Sequence, residues 1–336
     1  MTIIYAILMF CFLILIHEFG HFIAAKGCGV QVNEFALGMG PAIFQKKKGE
    51  TLYSLRCLPI GGYCAMEGED EDSENPRAFN HKKAWQKAVI VCAGAAMNVI
   101  LAIILMCIVT YYIGVATTTI ADFSKGSLAQ EAGLASGDRI VQIDNRKIKK
   151  WDDVSGVLED KKKGDVVAIT VERDGARKVV ETPLIRASGR TMIGITPKME
   201  KNAGLAVVQG FKSTWGLTKQ MYDIIRQLVT GKVSTKQLSG PVGIVAIVGQ
   251  TAKQGVIYLI YLMALISLNL GVFNMLPFPA LDGGRLAFIV IRKITGKVIT
   301  DSIEAKVNLA GLMLLFGLMI YVTWNDIMRF IVPHFQ

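Results

Sequence analysis

Ile14-Leu15-Ile16-His17-Glu18-Phe19-Gly20-His21-Phe22-Ile23-Ala24-Ala25 sets two imidazoles and a carboxylate inside a segment otherwise fit for hydrocarbon. It closes an apolar run that fills the first 25 residues. Ionisable groups are costly in a bilayer unless they have a partner or a task. No basic residue precedes the run and no small-residue cleavage site follows it, so it reads as a retained membrane helix and not as a signal peptide.

Outward from this helix, three more stretches are rich in Ile, Leu, Val, Phe and Met: roughly Trp85–Val115, Val256–Leu276 and Ala305–Val332. The chain of 336 residues is 52% hydrophobic with a mean hydropathy of +0.41, too apolar for an ordinary soluble domain. Four membrane spans follow, with a soluble-looking insertion between the second and third. The formal net charge of +10 gathers at span ends, with Lys82, Lys83 and Lys87 before the second and Arg292, Lys293 and Lys297 before the fourth. That placement predicts attraction to anionic lipid and not to nucleic acid, and it puts those flanks in the cytoplasm. The expected topology has an extracytoplasmic N-terminus, cytoplasmic loops at 26–83 and 285–304, and an exported insertion.

Four segments are expected. Residues 1–115 hold the first two spans and, between Gln31 and Cys64, a hairpin pattern: Ala42–Phe44 and Thr51–Leu58 flank the polar Gln45–Glu50. Residues 116–200 read as a small β-domain, with strands at Arg139–Ile143, Val166–Glu172 and Lys178–Thr182, a turn at Asp174-Gly175 and a short helix over Trp151–Leu158. Its Gly133-Leu134-Ala135-Ser136-Gly137-Asp138-Arg139-Ile140 resembles the GLxxGDxI signature of bacterial PDZ domains, which bind extended peptide along a strand edge. Residues 201–255 are amphipathic, and Phe211–Val229 is expected to lie on the membrane surface without crossing it. Residues 256–336 carry the last two spans. All six cysteines lie in the first third; the spacing of Cys57 and Cys64 matches no common zinc motif.

His17-Glu18-Phe19-Gly20-His21 carries the chemistry. On a helix the two histidines stand one turn apart on one face, suited to a single Zn²⁺, and Glu18 is placed as a general base toward water. From Ile3 to His17 the helix rises about 21 Å, which leaves the site within a hydrocarbon core about 30 Å thick and toward its cytoplasmic side. Catalytic zinc takes three protein ligands. The other histidines, His81 and His334, fall in a loop and in the tail, whereas Asp282 ends Asn274-Met275-Leu276-Pro277-Phe278-Pro279-Ala280-Leu281-Asp282-Gly283-Gly284 just after the third span. Pro277 and Pro279 break the helix there. Asp282 is therefore expected as the third ligand, the competing reading being an N-cap of the next helix.

HExxH in the first span, NxxPxPxLDG after the third and a PDZ-like insertion between the second and third resemble the site-2 protease family of intramembrane metalloproteases, with the nearer likeness to its bacterial regulator-of-sigma protease branch. The resemblance spans nearly the whole chain. It implies an α-helical polytopic protein of about four transmembrane helices in the bacterial cytoplasmic membrane, with a membrane re-entrant β-hairpin and an inserted extracytoplasmic PDZ-like domain. It implies that His17, His21 and Asp282 bind zinc, that Glu18 is the catalytic base, that Asn274 holds the substrate backbone, and that Gly38-Met39-Gly40 belongs to a hairpin aligning substrate as a strand. Single-span membrane proteins, such as anti-sigma factors or signal-peptide remnants, are the implied substrates, with a peptide or substrate segment at the PDZ-like domain. Ser239-Gly240-Pro241-Val242-Gly243 matches a recurring segment before the third span. Gly94-Ala95-Ala96-Met97-Asn98 resembles the second-span motif, with Ala95 where the family commonly has proline. An ion-coupled transporter or a non-catalytic membrane scaffold would share the buried charges, yet neither requires Glu between the histidines.

Overall fold

The computed structural model describes residues 2–69, 71–187, 189–232, 240–296 and 301–330. Ser239, Lys297, Val332 and His334 fall outside them. The chain begins with α1 (Thr2–Gly27), β1 (Val32–Lys48), β2 (Thr51–Met66) and α2 (Ala84–Ile113). A β-rich stretch follows: β3 (Val115–Phe123), β4 (Arg139–Ile143), β5 (Arg146–Lys147), α3 (Trp151–Leu158), β6 (Val166–Arg173), β7 (Ala176–Pro183), β8 (Ile185–Ala187), β9 (Arg190–Met192) and β10 (Ile195–Glu200). It ends with α4 (Ala203–Val229), α5 (Pro241–Gln254), α6 (Val256–Asn274), α7 (Asp282–Thr295) and α8 (Asp301–Phe330). Two compact units result, Met1–Val109 with Gly210–Gln336, and Thr110–Gln209.

In the first unit, α1, α2, α6 and the Ser302–Met328 part of α8 are long and apolar enough to cross a membrane. They are apolar on all sides, as hydrocarbon requires. Ile4, Leu8 and Phe12 form an exposed row on α1, and Ile100, Ile104 and Ile108 form another on α2. The buried faces meet in small clusters, Ala6, Met9, Leu13 and Val248 between α1 and α5, and Ala102, Leu268 and Val272 between α2 and α6. The chain is a multi-pass membrane protein. The Gly240–Gly243 segment is held from α8, where buried Asp326 accepts the Gly243 N–H through Oδ2 at 2.8 Å.

The amphipathic helix α4 is longer than expected, Ala203–Val229 against Phe211–Val229. Gly210 abuts the backbone of Cys107, and Leu217, Met221 and Ile225 pack on the Ala102, Leu268 and Val272 cluster, so this part of α4 runs alongside α2 and α6. Only part of its apolar surface is covered in this way, since Phe211, Trp215 and Tyr222 remain exposed.

The hairpin extends beyond the expected strands, because Gln45–Lys48 pair with Ser54–Thr51 as strand and do not form a loop. Both strands also bend, so that residues 32–37 pair with 52–55 on one side and with 62–66 on the other. The result is a four-segment mixed sheet in the order 44–48, 51–56, 32–37, 62–66, in which 34–37 runs parallel to 52–55 and the two outer pairs are antiparallel. Gly38 (φ 89°) and Gly40 (φ 81°) make the bend in β1, a conformation that side chains disfavour. At the turn, Glu50 pairs with Lys26 of α1 and with Arg77, at 2.5 and 2.9 Å to the latter. These cations hold its carboxyl down at about 2.

The second unit is an antiparallel sheet in the order β10-β3-β4-β6-β7, closed by α3 over a core that includes Ile120, Leu134, Ile140, Ile143, Val154, Leu158, Val167, Ile169 and Val171. The three expected strands and the Trp151–Leu158 helix stand where alternation and periodicity put them. Asp138 of the GLxxGDxI stretch is fully buried and accepts from Arg173 Nε at 2.6 Å, Arg173 Nη2 at 2.7 Å and the Ala135 N–H at 2.9 Å. That guanidinium holds the Asp138 carboxyl below the usual range.

Candidate metal centre

His17 and His21 lie one turn apart on α1 with their Nε2 atoms 3.2 Å apart. Asp282, the first residue of α7, brings Oδ2 to 3.3 Å from His17 Nε2 and 3.5 Å from His21 Nε2. The broken backbone between α6 and α7 makes this reach possible. Pro277 and Pro279 cannot continue a helix, and Ala280 takes the left-handed φ of 69° while donating its N–H to Asn308 Oδ1 of α8 at 3.1 Å. Leu281 occupies the N-cap position of α7, and it makes no side-chain capping bond. The capping reading of Asp282 therefore has no counterpart in the geometry.

The donor set fits zinc on the atoms themselves. Asp282 Oδ2 is buried and accepts no hydrogen bond. It faces two imidazole nitrogens, so acceptors converge from three sides on one point. Separations of 3.2, 3.3 and 3.5 Å match the edge of a tetrahedron, about 3.3 Å for metal bonds of about 2.0–2.1 Å. Helix α2 supports the arrangement. The Ile90 carbonyl stands 2.9 Å from His21 Nδ1, and since a carbonyl only accepts, that nitrogen donates and leaves Nε2 with its lone pair. Asn98 Nδ2 lies 3.3 Å from His17 Nδ1. Between them, a Cβ on Gly94 would fall against His21 Nε2 and, at 2.8 Å, His17 Cε1. Only glycine lets α2 approach both rings.

Glu18 opens with His17, His21 and Asp282 onto a cavity of about 360 Å³, also lined by Tyr63, Cys64, Ala65, Met66, Glu69, Val91 and Arg285. Asn274, at the end of α6, brings Nδ2 to 3.5 Å from His17 Nε2. Gly38, Met39 and Gly40 are not among the lining residues; they form the bend of the sheet, with Met39 opposite Leu58. The strand beside the ligands is Gly62–Met66, which packs on α1 near Ile14 and Glu18 and has no strand paired to its outer side among the described residues. Sequence reasoning missed this segment, because nothing in Tyr63-Cys64-Ala65-Met66 announces an edge. It also missed the ion pair of Arg285 with Glu69, both of which line the cavity, although Arg285 follows Asp282 by one helical turn.

Spanning helices that enclose a three-acceptor cluster with a carboxylate beside it define a class, the membrane metalloproteases. The chain belongs to peptidase family M50, which it matches over residues 5–318, and its metal is zinc. It is 42% identical over 332 residues to a protein of Clostridium acetobutylicum whose name makes it a candidate zinc metalloprotease, covering 97% of each chain. A Staphylococcus aureus protein named in the same way is 33% identical over 422 residues, covering 98% of each. Among solved structures, the PDZ domain of an SdrC-like protein from Listeria monocytogenes matches 26% of this chain and 88% of its own at 27% identity, with a TM-score of 0.21.

Proposed function

We propose that this protein hydrolyses peptide bonds within the transmembrane segments of single-span membrane proteins, with His17, His21 and Asp282 holding zinc and Glu18 as the general base. The observation that carries the reading is the convergence of three acceptor atoms at 3.2–3.5 Å, two of them on a helix apolar enough to span a membrane and the third on α7. When bound, zinc supplies Lewis acidity that polarises a carbonyl and makes water a competent nucleophile at neutral pH. Glu18 takes the proton from the attacking water and passes it to the leaving amine nitrogen. Asn274, projecting from the end of α6, steadies the substrate backbone next to His17.

A helical substrate hides its amides and must unwind before it is cut. The open edge of Gly62–Met66 offers the freed N–H and C=O groups replacement partners beside the ligands. This moves the pairing strand away from Gly38-Met39-Gly40 and onto another segment of the same sheet. In the proposed orientation the N-terminus and the PDZ-like domain lie outside the bacterial cytoplasmic membrane and the zinc faces its inner side, as the basic span flanks favour. The PDZ-like domain then takes a peptide or a part of the substrate before cleavage, and anti-sigma factors or signal-peptide remnants suit the single-span requirement.

The test is cleavage of a single-span substrate in proteoliposomes by the parent and by Glu18→Gln. The variant is expected to keep its zinc and lose about 10²–10⁴-fold in rate. Turnover at the parental rate would remove Glu18 from the mechanism.

A further inference from the structure

Asn98 of α2 is fully buried, and its two side-chain polar atoms are in unequal circumstances. Nδ2 lies 3.3 Å from His17 Nδ1, whereas Oδ1 is buried without a hydrogen-bond partner. The main-chain oxygen of the same residue accepts a 2.7 Å bond from buried Ser267 Oγ of α6, which fixes the backbone at this level. An orphaned amide oxygen at such a place calls for a physical reason.

The tautomer of His17 supplies it. Nε2 is the ring atom that faces His21 Nε2 and Asp282 Oδ2. To offer a lone pair there, the neutral ring must carry its proton on Nδ1. An N–H on Nδ1 facing an amide NH₂ sets donor against donor. A half-turn of the amide exchanges oxygen and nitrogen with almost no change of shape and turns the clash into one N–H···O bond.

We infer that Asn98 is a positioning residue for His17, its Oδ1 accepting from Nδ1–H and thereby fixing the tautomer and ring plane in which Nε2 is presented to zinc. The inference rests on His17 being a zinc ligand, as proposed above. It gives the two imidazoles matching support, since Ile90 and Asn98 stand eight residues apart on the face of α2 that carries Gly94, and each provides the acceptor for one ring. Metal-bound histidines commonly donate their second N–H in this way, and losing the acceptor weakens metal binding about 10–100-fold. A buried amide that merely packs α2 against α1 would have no such effect.

The test measures zinc affinity of the detergent-solubilised full chain by competition with a chromogenic chelator, alongside thermal unfolding. Asn98→Leu keeps roughly the volume and removes the acceptor; it is expected to bind zinc about 10–100-fold more weakly. Asn98→Asp can only accept, and it is expected to bind at least as tightly as the parent. A packing role reverses the order, with Leu near parental and the buried charge of Asp damaging. Should Asn98→Leu fail to fold, Asn98→Asp decides alone: parental or tighter binding supports the inference, and tenfold weaker binding or a misfolded chain overturns it. His17→Ala separates the two levels. Parental affinity in that variant would bring down the ligand assignment itself, whereas loss of zinc there with none in Asn98→Leu would bring down only the role of Asn98.

Discussion

Asp138 in the β-rich unit and Asp282 at the candidate metal centre are the same side chain treated in opposite ways. Asp138 is surrounded by donors, three of them within 2.9 Å. Asp282 Oδ2 is surrounded by imidazole nitrogens and accepts no hydrogen bond. A carboxylate kept for architecture brings its countercharge in the same chain, here Arg173. A carboxylate kept for a metal leaves its charge unanswered by the chain, because any answering donor would compete with the ion.

The comparison breaks most sharply under one substitution made at both positions. Asp282→Asn is expected to lower zinc affinity by more than about 100-fold, beyond the loss of a supporting contact, and to abolish cleavage with it. Metal analysis of the purified variant reads this directly, and full occupancy would end the parallel. Asp138→Asn is expected to do the reverse: zinc stays, while the β-rich unit loses about 3 kcal/mol because Arg173 loses its countercharge and keeps only neutral acceptors such as the Gly133 carbonyl. Hydrogen exchange of the strand amides in the full chain measures that loss, and an unchanged protection pattern would count against it.

Acid sharpens the contrast at a smaller scale. Asp138 titrates below its unfolded value of about 3.9, so its contribution is complete above that value and fades as the pH falls through the depressed folded one. The stability of the β-rich unit should therefore decline as pH is taken from about 5 to 3, and the decline should be shallower in Asp138→Asn. Equal slopes in the two proteins would assign the acid sensitivity to other groups.

The three residues that converge at the candidate metal centre were legible because their signals are local or scarce. Two histidines at helical spacing in a spanning segment, and one aspartate beside two prolines after another, need no tertiary information. The β-rich unit was legible for a similar reason, since alternation and the Asp174-Gly175 turn fix strands one hairpin at a time. The double bend of β1 and β2 was not. It depends on residues 32–37 choosing partners on both sides, a pairing that hydrophobic pattern does not encode and that glycines at 38 and 40 only permit. The course of α4 was hidden as well, because an amphipathic stripe looks the same whether lipid or the faces of α2 and α6 will cover it.

His21 owes its orientation to the main-chain oxygen of Ile90, and such an atom has no codon of its own. Every allele at position 90 still encodes that carbonyl, so a saturation library would score the residue by its side chain alone. The dependence would surface at Gly94 instead, where any other allele pushes α2 off the rings. A genetic map of α2 is thus expected to show intolerance at Gly94, one helical turn away from the contact that causes it, and little at Ile90 itself.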